Sequence, residues 1–179
     1  MVLQGSESRD ICANENCATL VHQYLDAFGW KLRPEQKLAL VGEGIIFDDE
    51  NFKVTAFTTQ HCPNSHAFLI EAEGKSVLCS GDLRHPAIDF PPVDNLDAAI
   101  LEAAHFDVAE YANILKSISV KSVYINQYGN YLGIINGANF VTLRKEIAPV
   151  PVELTTDGMA QLYIFSRSQI YYISLSIFE

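Results

Sequence analysis

Three short stretches hold the residue types that do chemistry: His61-Cys-Pro-Asn-Ser-His66, Ser80-Gly-Asp82 and Glu102-Ala-Ala-His105. A neutral imidazole and a carboxylate, each in a loop behind a strand, can converge on one divalent cation, because such ions take nitrogen and anionic oxygen donors. His61 follows a strand ending near Phe57. Asp82 follows a strand over 76–80 through a glycine. Both are expected at adjacent strand ends, where α/β proteins place reacting groups. Singly, each residue has a plainer use: a loop histidine hydrogen-bonds to solvent, and an aspartate after Ser-Gly forms a turn.

Around this pair lie further candidates for substrate contact. His66 can reach a substrate from the same loop, or open the next strand and face water. Arg84 and His85, in Asp-Leu-Arg-His-Pro, can together hold an anionic group such as a phosphate, or form a polar turn before Pro86. Cys62 and Cys79 with His61 and His66 make a second conceivable donor set. Cys12 and Cys17 could supply half a metal site, but no matching second pair follows, and inert reduced thiols are the better reading.

Periodicity indicates the elements that must position these groups. Cys17, Leu20, Val21, Tyr24, Leu25 and Phe28 recur at three- and four-residue steps, predicting a helix over 11–28 that Gly29 ends. A charged connector, 31–37, follows. Residues 44–47 and 52–57 read as strands around an acidic turn, and 67–71 and 76–80 as a second pair around Ala72-Glu-Gly-Lys75. Ala98-Ala-Ile-Leu101 is a buried-type strand. Asp107 with Glu110 has the spacing of a capping box, opening a helix with Tyr111, Ile114, Leu115 and Ile118 on its apolar side. A strand over 122–126, a helix over 138–147, and a strand over 152–155 complete a layered α/β pattern. Residues 160–179 are strongly apolar and read as a terminal hairpin, either buried or at an oligomer interface.

The chain has 179 residues, 49% of them apolar and 19% charged, which suits one domain with a real core. Its formal net charge of -10 argues against broad nucleic-acid binding. There is no run of apolar residues long enough to span a membrane, and no basic, apolar leader at Met1, so a cytoplasmic protein is expected.

The ordered set of motifs resembles the metallo-β-lactamase superfamily, in its ribonuclease-Z-like and phosphodiesterase-like hydrolase branch. The residues that carry the likeness are Thr58-Thr-Gln-His-Cys-Pro-Asn-Ser-His-Ala-Phe-Leu-Ile-Glu71, Gly74-Lys-Ser-Val-Leu-Cys-Ser-Gly-Asp-Leu83 and Leu96-Asp-Ala-Ala-Ile-Leu-Glu-Ala-Ala-His-Phe106, continuing through Val120-Lys-Ser-Val-Tyr-Ile-Asn126 to Val152-Glu-Leu-Thr-Thr-Asp-Gly-Met159. The likeness covers about 40–160 and implies an αββα sandwich, here partial and lacking its amino-terminal portion. It implies a hydrolase acting on an ester, amide or phosphodiester through one or two ions, usually zinc. His61 would be the third histidine of the first metal site, Asp82 the bridging carboxylate, and His105 a candidate general acid.

Two departures set what is expected of the chain. The family's His-x-His-x-Asp-His stretch, which supplies four ligands, does not occur, and Gln127 stands where the last histidine belongs. With His61 and Asp82 as the remaining donors, zinc would be weakly bound or absent, and the isolated chain a truncated or divergent hydrolase without turnover. The alternative is a non-catalytic, oligomeric binding protein retaining half of the fold. An incomplete sandwich exposes apolar surface, so a homodimer or a complementing chain is expected as partner, with a small anionic or ester compound as substrate.

Overall fold

Between Gly44 and Leu154, short apolar runs, several of them rich in β-branched and aromatic residues, build one large sheet. The computed structural model describes residues 11–13, 15–31, 38–127, 138–155, 160–164 and 170–174. They belong to two compact units, 1–42 and 43–179.

In the first unit β1 (Ile11–Ala13) runs parallel to β2 (Leu38–Leu40), with α1 (Glu15–Ala27) between them in the chain. The expected helix therefore begins four residues later than its apolar pattern suggests, because Ile11–Ala13 pairs with a strand far along the sequence. The backbone N–H groups of Gly29 and Trp30 donate to Asp26 and Leu25, and Gly29 takes a positive φ of 65°, closing the helix as the sequence indicates. Leu20, Tyr24, Phe28 and Trp30 are exposed, and the three rings cluster with centroids 4.8 to 6.4 Å apart.

The second unit holds a seven-stranded sheet in the order β3-β4-β5-β6-β7-β8-β9. β3 (Gly44–Asp48), β4 (Phe52–Thr58), β5 (His66–Ala72) and β6 (Lys75–Cys79) are antiparallel neighbours. β7 (Ala98–Glu102), β8 (Val123–Asn126) and β9 (Val152–Leu154) continue parallel to β6. Glu73 and Gly74, both at positive φ, form the tight turn between β5 and β6, the backbone that a two-residue hairpin requires. β4 and β6 are not adjacent as expected: β5 lies between them. They still run the same way, so their carboxyl ends fall on the same edge of the sheet.

The crossovers carry α2 (Pro86–Asp89), a 3-10 turn (Val108–Tyr111) running into α3 (Ala112–Ser117), and α4 (Ala138–Glu146). Leu78, Leu101, Val123, Ile125 and Val152 from the strands pack with Tyr111, Leu115, Leu143 and Ile147 from the crossovers in one buried cluster. Each such side chain contributes roughly 1.5–3 kcal/mol by leaving water. Val77, Ala98, Ile100 and Tyr124 form a smaller buried cluster; the strand register places them on the opposite face. Asp107 does cap its helix, accepting from Ala109 N–H, but the capping box is not closed as expected, since Glu110 turns to His85. β10 (Ala160–Ile164) and β11 (Ile170–Ser174) pair as an antiparallel hairpin, as the terminal sequence suggests. Residues 165–169 and 175–179 of that expected hairpin lie outside the described residues.

Candidate functional site

The carboxyl ends of β4, β6 and β7 meet at one edge of the sheet, and each releases a loop carrying one of the predicted groups. The loop after β4 is wound on itself by two hydroxyl side chains. Thr59 is buried and donates its hydroxyl to the carbonyl oxygen of Asp82, 2.8 Å away. Ser65 lies 2.6 Å from the Thr59 hydroxyl and also contacts the carbonyls of Thr59 and Cys62. The carboxylate of Asp89, in α2, accepts from the backbone N–H groups of Gln60, Arg84 and His85. It thereby ties the His61 loop to the loop that follows Asp82.

The second loop, Ser80-Gly81-Asp82, depends on its glycine. Gly81 has φ of 55°, and a Cβ there would lie 2.5 Å from the carbonyl oxygen of His66. Only a residue without a side chain fits both the conformation and the approach. The resulting sharp turn brings Asp82 beside His61.

His61, Asp82 and His105 form a cluster in which each offers one ligand atom within 4.8 Å of the others. Nδ1 of His61 is 3.7 Å from an Asp82 carboxylate oxygen, beyond hydrogen-bond range. It is buried and has no hydrogen-bond partner. The rings of His61 and His105 have centroids 4.2 Å apart, tilted by 53°. An orphaned ring nitrogen next to a carboxylate and a second imidazole is a donor set that a divalent cation satisfies.

Behind His105 stands Glu102, the last residue of β7, whose side chain is fully buried. One of its oxygens accepts from Leu83 N–H at 3.0 Å and from His105 Nδ1 at 3.1 Å. The other accepts from Ala104 N–H at 2.7 Å. Tyr111 donates its hydroxyl to the Glu102 carbonyl, and burial, reinforced by the Glu102 charge, pushes that phenol well above its ordinary pKa, so it stays a donor. In register with Glu102 on β8, Asn126 Oδ1 is also buried without a partner.

The other predicted site residues fall outside this cluster. His66 is half-buried as the first residue of β5, paired with Thr58, with its ring 6.2 Å from that of Phe68. Arg84 is exposed. His85 is spent on the fold: its Nδ1 accepts from Ala87 N–H as the cap of α2, and its Nε2 hydrogen-bonds to Glu110. Gln127 is exposed at the end of β8, with φ of 52°. Cys62 and Cys79 are free thiols outside the cluster, and burial pushes Cys79 up to about 11. Sequence reasoning missed Thr59 and Asp89, and gave Glu102, though it named its stretch, no role of its own. The signal for Glu102 was a carboxylate closing an otherwise wholly apolar strand.

No protein-family model matches the sequence, and no curated protein does. Solved structures do. The metallo-β-lactamase-fold protein YhfI of Bacillus subtilis superposes with a TM-score of 0.61 at 17% identity, over 86% of this chain and 65% of that one. Zn(2+)-bound PqqB of Methylobacterium extorquens gives 0.56 at 12%, over 85% and 61%. An inferred metal-dependent hydrolase of Parabacteroides distasonis gives 0.53 at 18%, over 81% and 63%. The chain spans less than two thirds of the length of each. At these identities the likeness is one of fold, and the seven-stranded sheet with its helices is a partial metallo-β-lactamase fold.

Proposed function

We propose that this chain is a divergent metal-dependent hydrolase, holding one divalent cation at the carboxyl edge of its sheet and acting on an ester or phosphodiester. The observation that carries this reading is the convergence of His61, Asp82 and His105, with Nδ1 of His61 buried and otherwise unpartnered. Nitrogen and carboxylate donors favour zinc over magnesium or calcium. When bound, such an ion supplies Lewis acidity at the reacting oxygen. The chain's own residues prepare the place: Thr59, Ser65 and Asp89 fix the loops, and Glu102 orients the His105 ring toward the other two groups.

The donor count limits what the chain does alone. The His-x-His-x-Asp-His stretch is absent from the sequence, and Gln127 supplies no imidazole. A site this sparse supports little turnover by itself, and a second copy or a complementing chain is the proposed source of further donors. The same shortage favours a second reading, a non-catalytic oligomeric binding protein that keeps this half of the fold.

Calorimetric titration of metal-free protein with zinc, followed by assay on bis(p-nitrophenyl) phosphate, tests both readings. About one equivalent of zinc is expected to bind, with hydrolysis barely above the buffer rate. Absence of binding at 100 micromolar zinc, a level at which even a site of roughly 10 micromolar Kd is filled, overturns the metal reading and leaves the binding protein. Turnover above about 1 per second, an ordinary enzyme rate, overturns the proposed inactivity.

A further inference from the structure

The sequence points to His105 as a proton donor beside a two-ligand metal. We infer instead that His105 is the third metal ligand and that Glu102 is the positioning residue that makes it one. The inference rests on the metal reading above and deepens it.

The carboxylate of Glu102 is fixed before His105 is considered, because both of its oxygens already accept from backbone N–H groups, those of Leu83 and Ala104. A carboxylate held this way offers only acceptor capacity. The His105 nitrogen that meets it, Nδ1, therefore carries the proton. That sets the tautomer: the lone pair is on Nε2, the nitrogen left to coordinate. A metal-bound histidine in proteins has this environment, with its second ring nitrogen donating to a carboxylate that fixes the ring and raises its basicity. A general acid held in the same way would carry a second proton on Nε2, whereas a ligand needs the lone pair there free; the place of His105 beside His61 and Asp82 favours the ligand.

Position agrees with chemistry. His61 and Asp82 leave a tetrahedral ion two donors short. Gln127 is exposed at the end of β8, and a carboxamide is the poorer donor. His105 reaches the same edge from the neighbouring strand, β7. Ligand atoms around tetrahedral zinc are about 3.3 Å apart for bonds near 2.0 Å, so the spread of up to 4.8 Å closes by small side-chain rotations. The outcome is a mononuclear site of two histidines and one carboxylate, with its third ligand drawn from the Glu102-Ala-Ala-His105 turn.

Cobalt(II) titration of the metal-free chain, read by visible absorption, tests this independently of activity. Wild type is expected to take up one cobalt with a d–d spectrum of low coordination number. His105→Ala should weaken binding at least ~100-fold and alter the spectrum, and Glu102→Gln should weaken it ~10–100-fold. Circular dichroism confirms that each variant is folded. Cobalt bound by wild type and by His105→Ala within about threefold would remove His105 from the ligand set while leaving the metal reading standing. No cobalt binding by wild type would overturn both. Should Glu102→Gln fail to fold, ring nitrogen chemical shifts of His105 in the wild-type, metal-free chain decide its part. An Nδ1–H tautomer is expected, and a predominant Nε2–H tautomer overturns the role given to Glu102.

Discussion

The two edges of the large sheet each bring a carboxylate together with basic side chains, and they use it in opposite ways. At the edge where β6, β7 and β8 begin, Asp97 is almost wholly buried. It accepts from Lys75 at 3.1 Å, Lys121 at 2.6 Å and the Ser76 N–H at 3.0 Å. Both oxygens are engaged, Oδ1 by the two lysines and Oδ2 by the backbone, and the three parallel strands are stapled at their start. At the edge where they end, Asp82 faces His61 at 3.7 Å without a hydrogen bond, and the facing nitrogen is an orphan. Saturation marks the first carboxylate as a joint. Lack of saturation at the second, where a buried polar atom left unpaired costs about 1–3 kcal/mol, is what supports the proposed cation there.

The sharpest way to break this contrast is to deform the unsaturated edge from behind. Gly81→Ala puts a methyl 2.5 Å from the His66 carbonyl oxygen, at a φ of 55°. The left-handed conformation and the overlap together should cost about 3 kcal/mol. Urea denaturation is expected to show that loss, and zinc titration to show weakened binding, because Asp82 can no longer reach its place. A variant of wild-type stability that binds zinc normally would mean that the turn does not set the site.

The saturated edge should respond to pH rather than to metal. Burial opposes ionisation of Asp97, but Lys121, the Ser76 N–H and Lys75 together outweigh it and hold its carboxyl below the usual range. A depressed folded-state pKa stabilises the fold above the unfolded value near 3.9, and that contribution is lost as pH falls through the folded value. Asp97→Asn is therefore expected to cost about 1–2 kcal/mol at pH 7, a figure already discounted for the exposure of the lysines. The gap between variant and wild type should shrink below about pH 4, and added zinc should leave it unchanged. A gap independent of pH would show that shape, not charge, makes the joint.

The contrast between the edges was only partly legible in the sequence. Strand periodicity located β3 through β9, and His61, Asp82 and His105, singled out by residue type and motif, come together in the fold. Their roles were less visible because each depends on a partner remote in the chain. Asp89 clamps Gln60 across twenty-nine positions. His85 looked like an anion ligand, but its two nitrogens cap α2 and bond Glu110. Glu102 stands in the same stretch as His105, but only the fold shows Leu83 N–H arriving at its carboxylate. The start of α1 was misplaced for the same reason: the pairing of Ile11–Ala13 with β2 leaves no trace in local periodicity.

The smallest expected effect concerns the one sulfur placed at the end of a site strand. Cys79 ends β6, and a thiol there could be imagined as a further soft ligand. Burial pushes its pKa up to about 11, so at pH 7.5 roughly three thiols in ten thousand are ionised, and it is the thiolate that coordinates metal or reacts. Cys62, in the His61 loop, is exposed. Iodoacetamide labelling followed by peptide mass mapping should modify Cys62 at least ~100-fold faster than Cys79. Zinc should slow neither thiol except through shielding of Cys62 next to His61. Strong zinc protection of Cys79 would place sulfur in the coordination sphere and displace the assignment of two histidines and a carboxylate, since a metal lowers a thiol's pKa and then masks it.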